Sequence, residues 1–164
     1  MQRTVLICRH AETLDPYPLQ PDFDRELTPA GQKQAREAGT WLREKVNKVD
    51  AILASPAKRA SATARIIASR LYLDETSITF EPELYNAREH QLLNCLSKLP
   101  DEVQTVVLVA HNPGITRLAR ELTGKLIGYL EPANILNINL TLQRWEEIHY
   151  TDGVLTDRNI EQAQ

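Results

Sequence analysis

The chain has 164 residues and a formal net charge of -3, which suits one domain with a real core and is short for two. No basic run stands out, which argues against a nucleic-acid or membrane-surface binder; a local basic pocket in an acidic protein suits a small anionic group instead. There is no charged-then-apolar leader and no apolar run long enough to span a membrane, so cytoplasm is the expected compartment.

Along the chain, Thr4-Val-Leu-Ile-Cys8 reads as a buried strand. Residues 14–27 form a loop rich in Pro and Asp. Thr28-Pro29 starts a helix, with Thr28 as N-cap and Pro29 in the first turn, where its missing N–H costs nothing. Ala35, Ala38 and Leu42 turn one stripe of that helix to a core. A second strand, Val49 to Ala54, ends at Ser55-Pro56, another cap-plus-proline start, and the next helix aligns Ala60, Ala64, Ile67 and Leu71. A short strand is expected near Ile78–Phe80 and a helix over Leu92, Leu93, Leu96 and Leu99. The strongest strand is Thr105–Ala110; after it, Asn112-Pro113 caps a helix carrying Ile115, Leu118, Ala119 and Leu122, closed by Gly124.

From Ile135 onward Leu136, Ile138, Leu140 and Leu142 alternate with Asn137, Asn139 and Thr141, the mark of a half-exposed strand. Trp145–Tyr150 is expected to pair with it as an antiparallel edge, and the polar tail, about 152–164, to be loose. The whole chain, 1–164, reads as a single α/β domain. Its expected architecture is a three-layer α/β/α sandwich with a mainly parallel central sheet and an antiparallel edge strand.

In such sheets ligands sit beyond the carboxyl ends of the strands. Arg9-His10 leaves the first strand, Ser55-Pro56 with Arg59 the second, and His111-Asn112-Pro113 the strongest. Two of the four histidines and two arginines thus leave strands on one rim. Helix N-termini favour anions, and arginine offers a planar fork matched to phosphate oxygens. This set suits a dianion and makes little sense around an apolar ligand. His90 and His149 fit no such position and read as surface or edge residues.

Competing chemistries fare worse. Cys8 and Cys95 form no CxxC pair and read as small buried hydrophobes. A cysteine phosphatase loop would need an arginine where Leu14 stands. No HxH, HExxH or HxD constellation supports a metal, and neither GxGxxG nor GxxxxGK[ST] supports a nucleotide, so no cofactor is expected.

Taken together, Leu6-Ile-Cys-Arg9-His10, Leu27-Thr-Pro-Ala-Gly31 with Gln34-Ala35, Ser55-Pro-Ala-Lys-Arg59 with Thr63, and Ala110-His-Asn-Pro-Gly114 resemble the histidine phosphatase (phosphoglycerate mutase-like) superfamily. Asp22-Phe-Asp-Arg25 and Leu84-Tyr85-Asn86-Ala87 are similar to its small SixA-like branch, the phosphohistidine phosphatases. The resemblance implies catalytic roles for His10, Arg9, Arg59 and His111. His10 would attack phosphorus and become phosphohistidine; Arg9, Arg59, His111 and Asn112 would bind the phosphoryl group. Water would then release phosphate without a metal.

Two departures from the larger mutases matter. Pro16 stands where they carry an asparagine, and Asn86 where they place a glutamate acid. Glu83 and Glu89 are near substitutes off the pattern, and Glu89 more simply starts the following helix. An alkoxide leaving group needs a proton, whereas imidazole, with a reference pKa of roughly 6.5, can be protonated beforehand. The missing acid therefore points toward N-phosphorylated substrates and away from unactivated alcohol esters; with the SixA-like motifs, the expected phosphorylated substrate is a phosphohistidine protein. The alternatives are a small-molecule phosphomonoesterase and a non-catalytic phosphate-binding module.

Overall fold

In the computed structural model, which describes residues 1–161, the side chains of the first strand, β1 (Gln2–Arg9), divide between two cores. Val5 and Ile7 join one cluster, Leu6 and Cys8 the other, as the period of two along a strand requires. Helices α1 (Pro29–Lys45) and α2 (Lys58–Arg70) cover the Leu6 face with Ala35, Leu42, Ala60, Ala64 and Ile67. Helices α3 (Glu89–Ser97) and α4 (Gly114–Thr123) cover the Val5 face with Leu92, Leu96, Ile115 and Leu118. The expected three-layer sandwich is realised.

The remaining strands are β2 (Ala51–Ala54), β3 (Ile78–Phe80), β4 (Thr105–Ala110), β5 (Ile135–Thr141) and β6 (Val154–Arg158). The sheet order is β3-β2-β4-β1-β5-β6. The first four in that order run parallel; β5 and β6 are antiparallel to their neighbours. Thr28 caps α1, its hydroxyl accepting from the Gly31 amide at 2.8 Å. Gly124, in the left-handed region with φ 67°, closes α4.

Three expectations are corrected. Trp145–Tyr150 is a 3-10 turn and not the antiparallel edge. Trp145 and Ile148, three residues apart, both enter the Val5-side core, and the Trp145 indole N–H donates to the Val103 carbonyl at 2.7 Å. The edge strand is β6, which lies in the tail read as loose; residues 162–164 of that tail lie outside the described residues. Neither Ser55 nor Asn112 acts as a helix cap, because both side chains are engaged at the rim: α2 starts at Lys58 and α4 at Gly114.

Arg3, at the far end of β1, is 1% exposed. Its guanidinium donates to the carbonyls of Asp101, Val103 and Gln143 at 3.0, 2.6 and 2.7 Å and lies over the Trp145 ring. It ties the start of β1 to the loops on either side.

Candidate active site

Strands β2, β4 and β1 are neighbours and parallel, so their carboxyl ends share one edge of the sheet. The ladder continues one residue beyond each: the His10 amide donates to the Ala110 carbonyl at 3.2 Å, and the Ser55 amide to the Val109 carbonyl at 3.0 Å. This brings His10 and His111 together, with ring centroids 5.2 Å apart and both side chains buried.

Nδ1 of His10 lies 2.8 Å from the Ala11 carbonyl oxygen. A carbonyl only accepts, so Nδ1 carries the proton and Nε2 keeps its lone pair. Burial, followed by the charges of Arg59, Arg9 and Arg25, lowers the His10 pKa to about 4, against the opposing pull of the Ala11 carbonyl. The ring is therefore neutral at pH 7.

The backbone that fixes this tautomer is itself tied down. The Ala11 amide donates to the Thr63 hydroxyl at 3.0 Å, and that hydroxyl donates to the Arg59 carbonyl at 2.8 Å. The Glu12 amide donates to Gln34 Oε1 at 3.0 Å, and the Thr28 amide to the Glu12 carbonyl at 3.0 Å. Gly31 sits against that same carbonyl with no room for a methyl group. Thr28, Gly31 and Gln34, which form one motif in the sequence, converge on Glu12, the second residue after His10.

His111 places Nε2 2.8 Å from Ser55 Oγ, while its Nδ1 is buried without a hydrogen-bond partner among the described residues. Burial first, then His10 and Arg59, lower its pKa to about 3. Asn112 donates to the Leu130 carbonyl at 2.9 Å and accepts from the Thr116 hydroxyl at 2.6 Å. Arg9 donates to the same Leu130 carbonyl at 3.1 Å, and its Nε has no partner among the described residues. Burial and Arg59 lower the Arg9 pKa, and Glu131 opposes them.

Arg59, in the first turn of α2, is buried and grips the 14–27 loop. It donates to the Asp22 carbonyl oxygen at 2.7 Å and to Asp22 Oδ2 at 2.9 Å. The Tyr85 hydroxyl donates to Asp22 Oδ2 at 2.7 Å, and Arg25 to Oδ1 at 3.3 Å. The Tyr85 hydrogen bond, then Arg59 and Arg25, hold the Asp22 carboxyl at about 2 despite some burial.

All five residues singled out from the sequence, Arg9, His10, Arg59, His111 and Asn112, therefore stand on one rim. Glu83 and Glu89 do not join them by any hydrogen bond or ion pair among the described residues. Glu83 faces Cys95 Sγ at 3.9 Å, and Glu89 opens α3. His90 and His149 are exposed. Burial pushes the Cys8 thiol up to about 12 and the Cys95 thiol, helped by Glu83, up to about 11. Among the described residues, no group of three His, Cys, Asp or Glu side chains is placed to hold a metal ion. No helix among them is long and apolar enough to cross a membrane.

Sequence reasoning assigned no role to Asp22, Tyr85 or Leu130. Asp22 and Tyr85 lay inside stretches that resemble the SixA-like branch, which was the available signal. Leu130 reaches the site through its carbonyl, which no side-chain motif reports.

A neutral imidazole nitrogen with a free lone pair among arginines has the chemistry that nucleophilic attack on an anionic group requires. The chain belongs to the histidine phosphatase superfamily (branch 1), whose profile matches residues 5–88. An uncharacterized protein of Mycobacterium leprae is 35% identical over 103 residues, covering 63% of this chain and 61% of that relative. The chain thus spans under two thirds of that relative's length. A SixA protein of Nakamurella multipartitia, assigned as a phosphohistidine phosphatase, matches in fold with a TM-score of 0.87 at 24% identity, over 99% of this chain and 98% of that one. The protein histidine phosphatase SixA in complex with tungstate matches with a TM-score of 0.80 at 25% identity, over 94% and 95%.

Proposed function

We propose that this phosphatase hydrolyses phosphohistidine on a protein through a phosphohistidine intermediate on His10. The observation that carries the reading is the His10 ring: Nδ1 is committed to Ala11 and Nε2 is free and neutral, beside two arginines and a second buried imidazole. Nε2 attacks phosphorus in line. Arg9 and Arg59 hold the equatorial oxygens and offset their charge. With the Ser55 hydroxyl donating to Nε2 of His111, the neutral ring carries its proton on Nδ1, the nitrogen without a partner among the described residues, and donates it to a phosphoryl oxygen. Asn112 has a second amide hydrogen for the same group. Water then hydrolyses the phosphoenzyme.

The substrate class is supported by the likeness to SixA and by Asn86 standing where the larger mutases place a glutamate acid. The test is to incubate the chain with a radiolabelled phosphohistidine protein, quench in base and follow label on the enzyme. Wild type should carry acid-labile label and release phosphate, and His10→Ala should do neither. Robust turnover of sugar phosphates without phosphohistidine activity would replace the substrate by a small phosphomonoester.

A further inference from the structure

We infer that Asp22 and Tyr85 form the receiving site for the substrate's imidazole, with Asp22 accepting a hydrogen bond from the ring nitrogen that does not carry phosphorus. This rests on the function proposed above and extends it to the leaving group.

A row of rings leads from the floor of the site to its rim. His10 and His111 lie 5.2 Å apart, His111 and Tyr85 5.7 Å, and Tyr85 and Phe23 5.2 Å, the last two pairs edge to face. The first two rings are buried and Phe23 is 37% exposed, so the row climbs toward solvent. A leaving group in line with His10 departs outward, and a flat aromatic ring matches these walls better than a sugar does.

Asp22 stands beside this row with room to spare. Its side chain is 48% exposed. Oδ2 takes Arg59 and Tyr85, but among the described residues Oδ1 takes only Arg25, at 3.3 Å. A carboxylate offers about four lone-pair positions, so one remains for a ring N–H.

Charge argues the same way. Arg59, Arg9 and Arg25 all bear on His10. A cationic phosphoimidazolium entering this field is repelled unless a carboxylate balances it. Asp22, facing Arg59 from α2, Arg25 from its own loop, Tyr85 and His111, is that carboxylate, and it stays ionised at neutral pH.

The step balances without a further acid. The substrate ring carries phosphorus on one nitrogen and a proton on the other. His10 Nε2 forms its bond to phosphorus as the substrate P–N bond breaks, and that electron pair returns to the ring nitrogen. The ring leaves as neutral imidazole, keeping the proton that Asp22 accepted as a hydrogen bond throughout. By raising the ring's proton affinity before cleavage, Asp22 keeps the reactive protonated form populated to higher pH.

The experiment compares wild type with Asp22→Asn on a synthetic phosphohistidine peptide and on p-nitrophenyl phosphate, whose phenolate needs no proton to leave. Asparagine keeps an oxygen for Arg59 but loses the charge. Both kcat/KM values should fall, and the phosphohistidine value by about tenfold more than the other. The alkaline limb of the phosphohistidine profile should also move about one pH unit lower. An excess loss above threefold with that shift supports the assignment. Losses matching within threefold, or an unmoved limb, overturn it and leave the proposed function intact. Absence of phosphohistidine turnover in wild type would instead overturn the function itself.

Discussion

The hydroxyl of Thr63 accepts the backbone N–H of Ala11 at 3.0 Å, and Ala11 is the residue whose carbonyl holds His10. One hydroxyl on α2 thus sets the orientation of a ring on the far side of the site, while its own proton is anchored on Arg59. Replacing it leaves a buried amide without a partner, a cost of about 1–3 kcal/mol. Thr63→Val should lower kcat ten- to hundredfold, and Thr63→Ser should restore most of it. Steady-state kinetics with p-nitrophenyl phosphate would measure both.

Ser55 plays a similar part for the second histidine. Its hydroxyl is the hydrogen-bond partner of His111 Nε2 among the described residues, and in the proposed reaction it donates there, leaving the proton on Nδ1. Ser55→Ala should reduce kcat about tenfold, equivalent to about 1.4 kcal/mol of transition-state stabilisation. Nitrogen NMR of the His111 ring should change from one tautomer to a mixture.

Gly31 is required by proximity. A methyl group there meets the Glu12 carbonyl, backbone that can give only by moving the segment after His10. Gly31→Ala should destabilise the fold by about 1–3 kcal/mol, read from urea midpoints. The surviving folded fraction should bind inorganic phosphate more weakly.

Acid should destabilise the protein earlier than its carboxylates alone would. His10 and His111 have folded pKa values of about 4 and about 3, below the ordinary 6.5. From about pH 6.5 downward the unfolded chain therefore binds more protons, and stability falls as pH falls until about pH 3. Urea midpoints at pH 7, 6, 5 and 4 should decline, and a His10→Asn, His111→Asn double variant should flatten the decline.

Arg3 separates stability from catalysis. Arg3→Met would strand the Asp101 and Gln143 carbonyls at the end of β1 opposite His10 and leave Val103 to the Trp145 indole alone. A loss of about 2–4 kcal/mol is expected, with the kcat of folded protein unchanged. Calorimetry and kinetics at low temperature would check both halves.

The layered fold and the rim residues were legible because they are written locally. Thr105–Ala110 is a continuous apolar run, and His111 follows it directly. The edge strand was misplaced for an equally local reason. Trp145–Tyr150 has strand-like composition, yet it buries Trp145 and Ile148 at the three-residue spacing of a 3-10 turn. Val154–Arg158 is polar because an edge strand needs little burial. Asp22 was beyond local reading: its partners Arg59 and Tyr85 lie 37 and 63 residues away. Nothing in Asp22-Phe-Asp-Arg25 alone tells a clamp from a surface turn. The 14–27 loop, equally readable as static surface or as cover, reaches the site through Asp22, Phe23 and Arg25.

Strand β4 lies between β2 and β1, which do not pair with each other. Until β4 is in place, the strand leading to His10 and the strand leading to Ser55 and Arg59 have no common edge. The last strand to be synthesised among these three is the one that joins them. His10 and Arg59 are therefore synthesised well before the strand that gives their two strands a common edge, so the rim is assembled only when β4 takes its place.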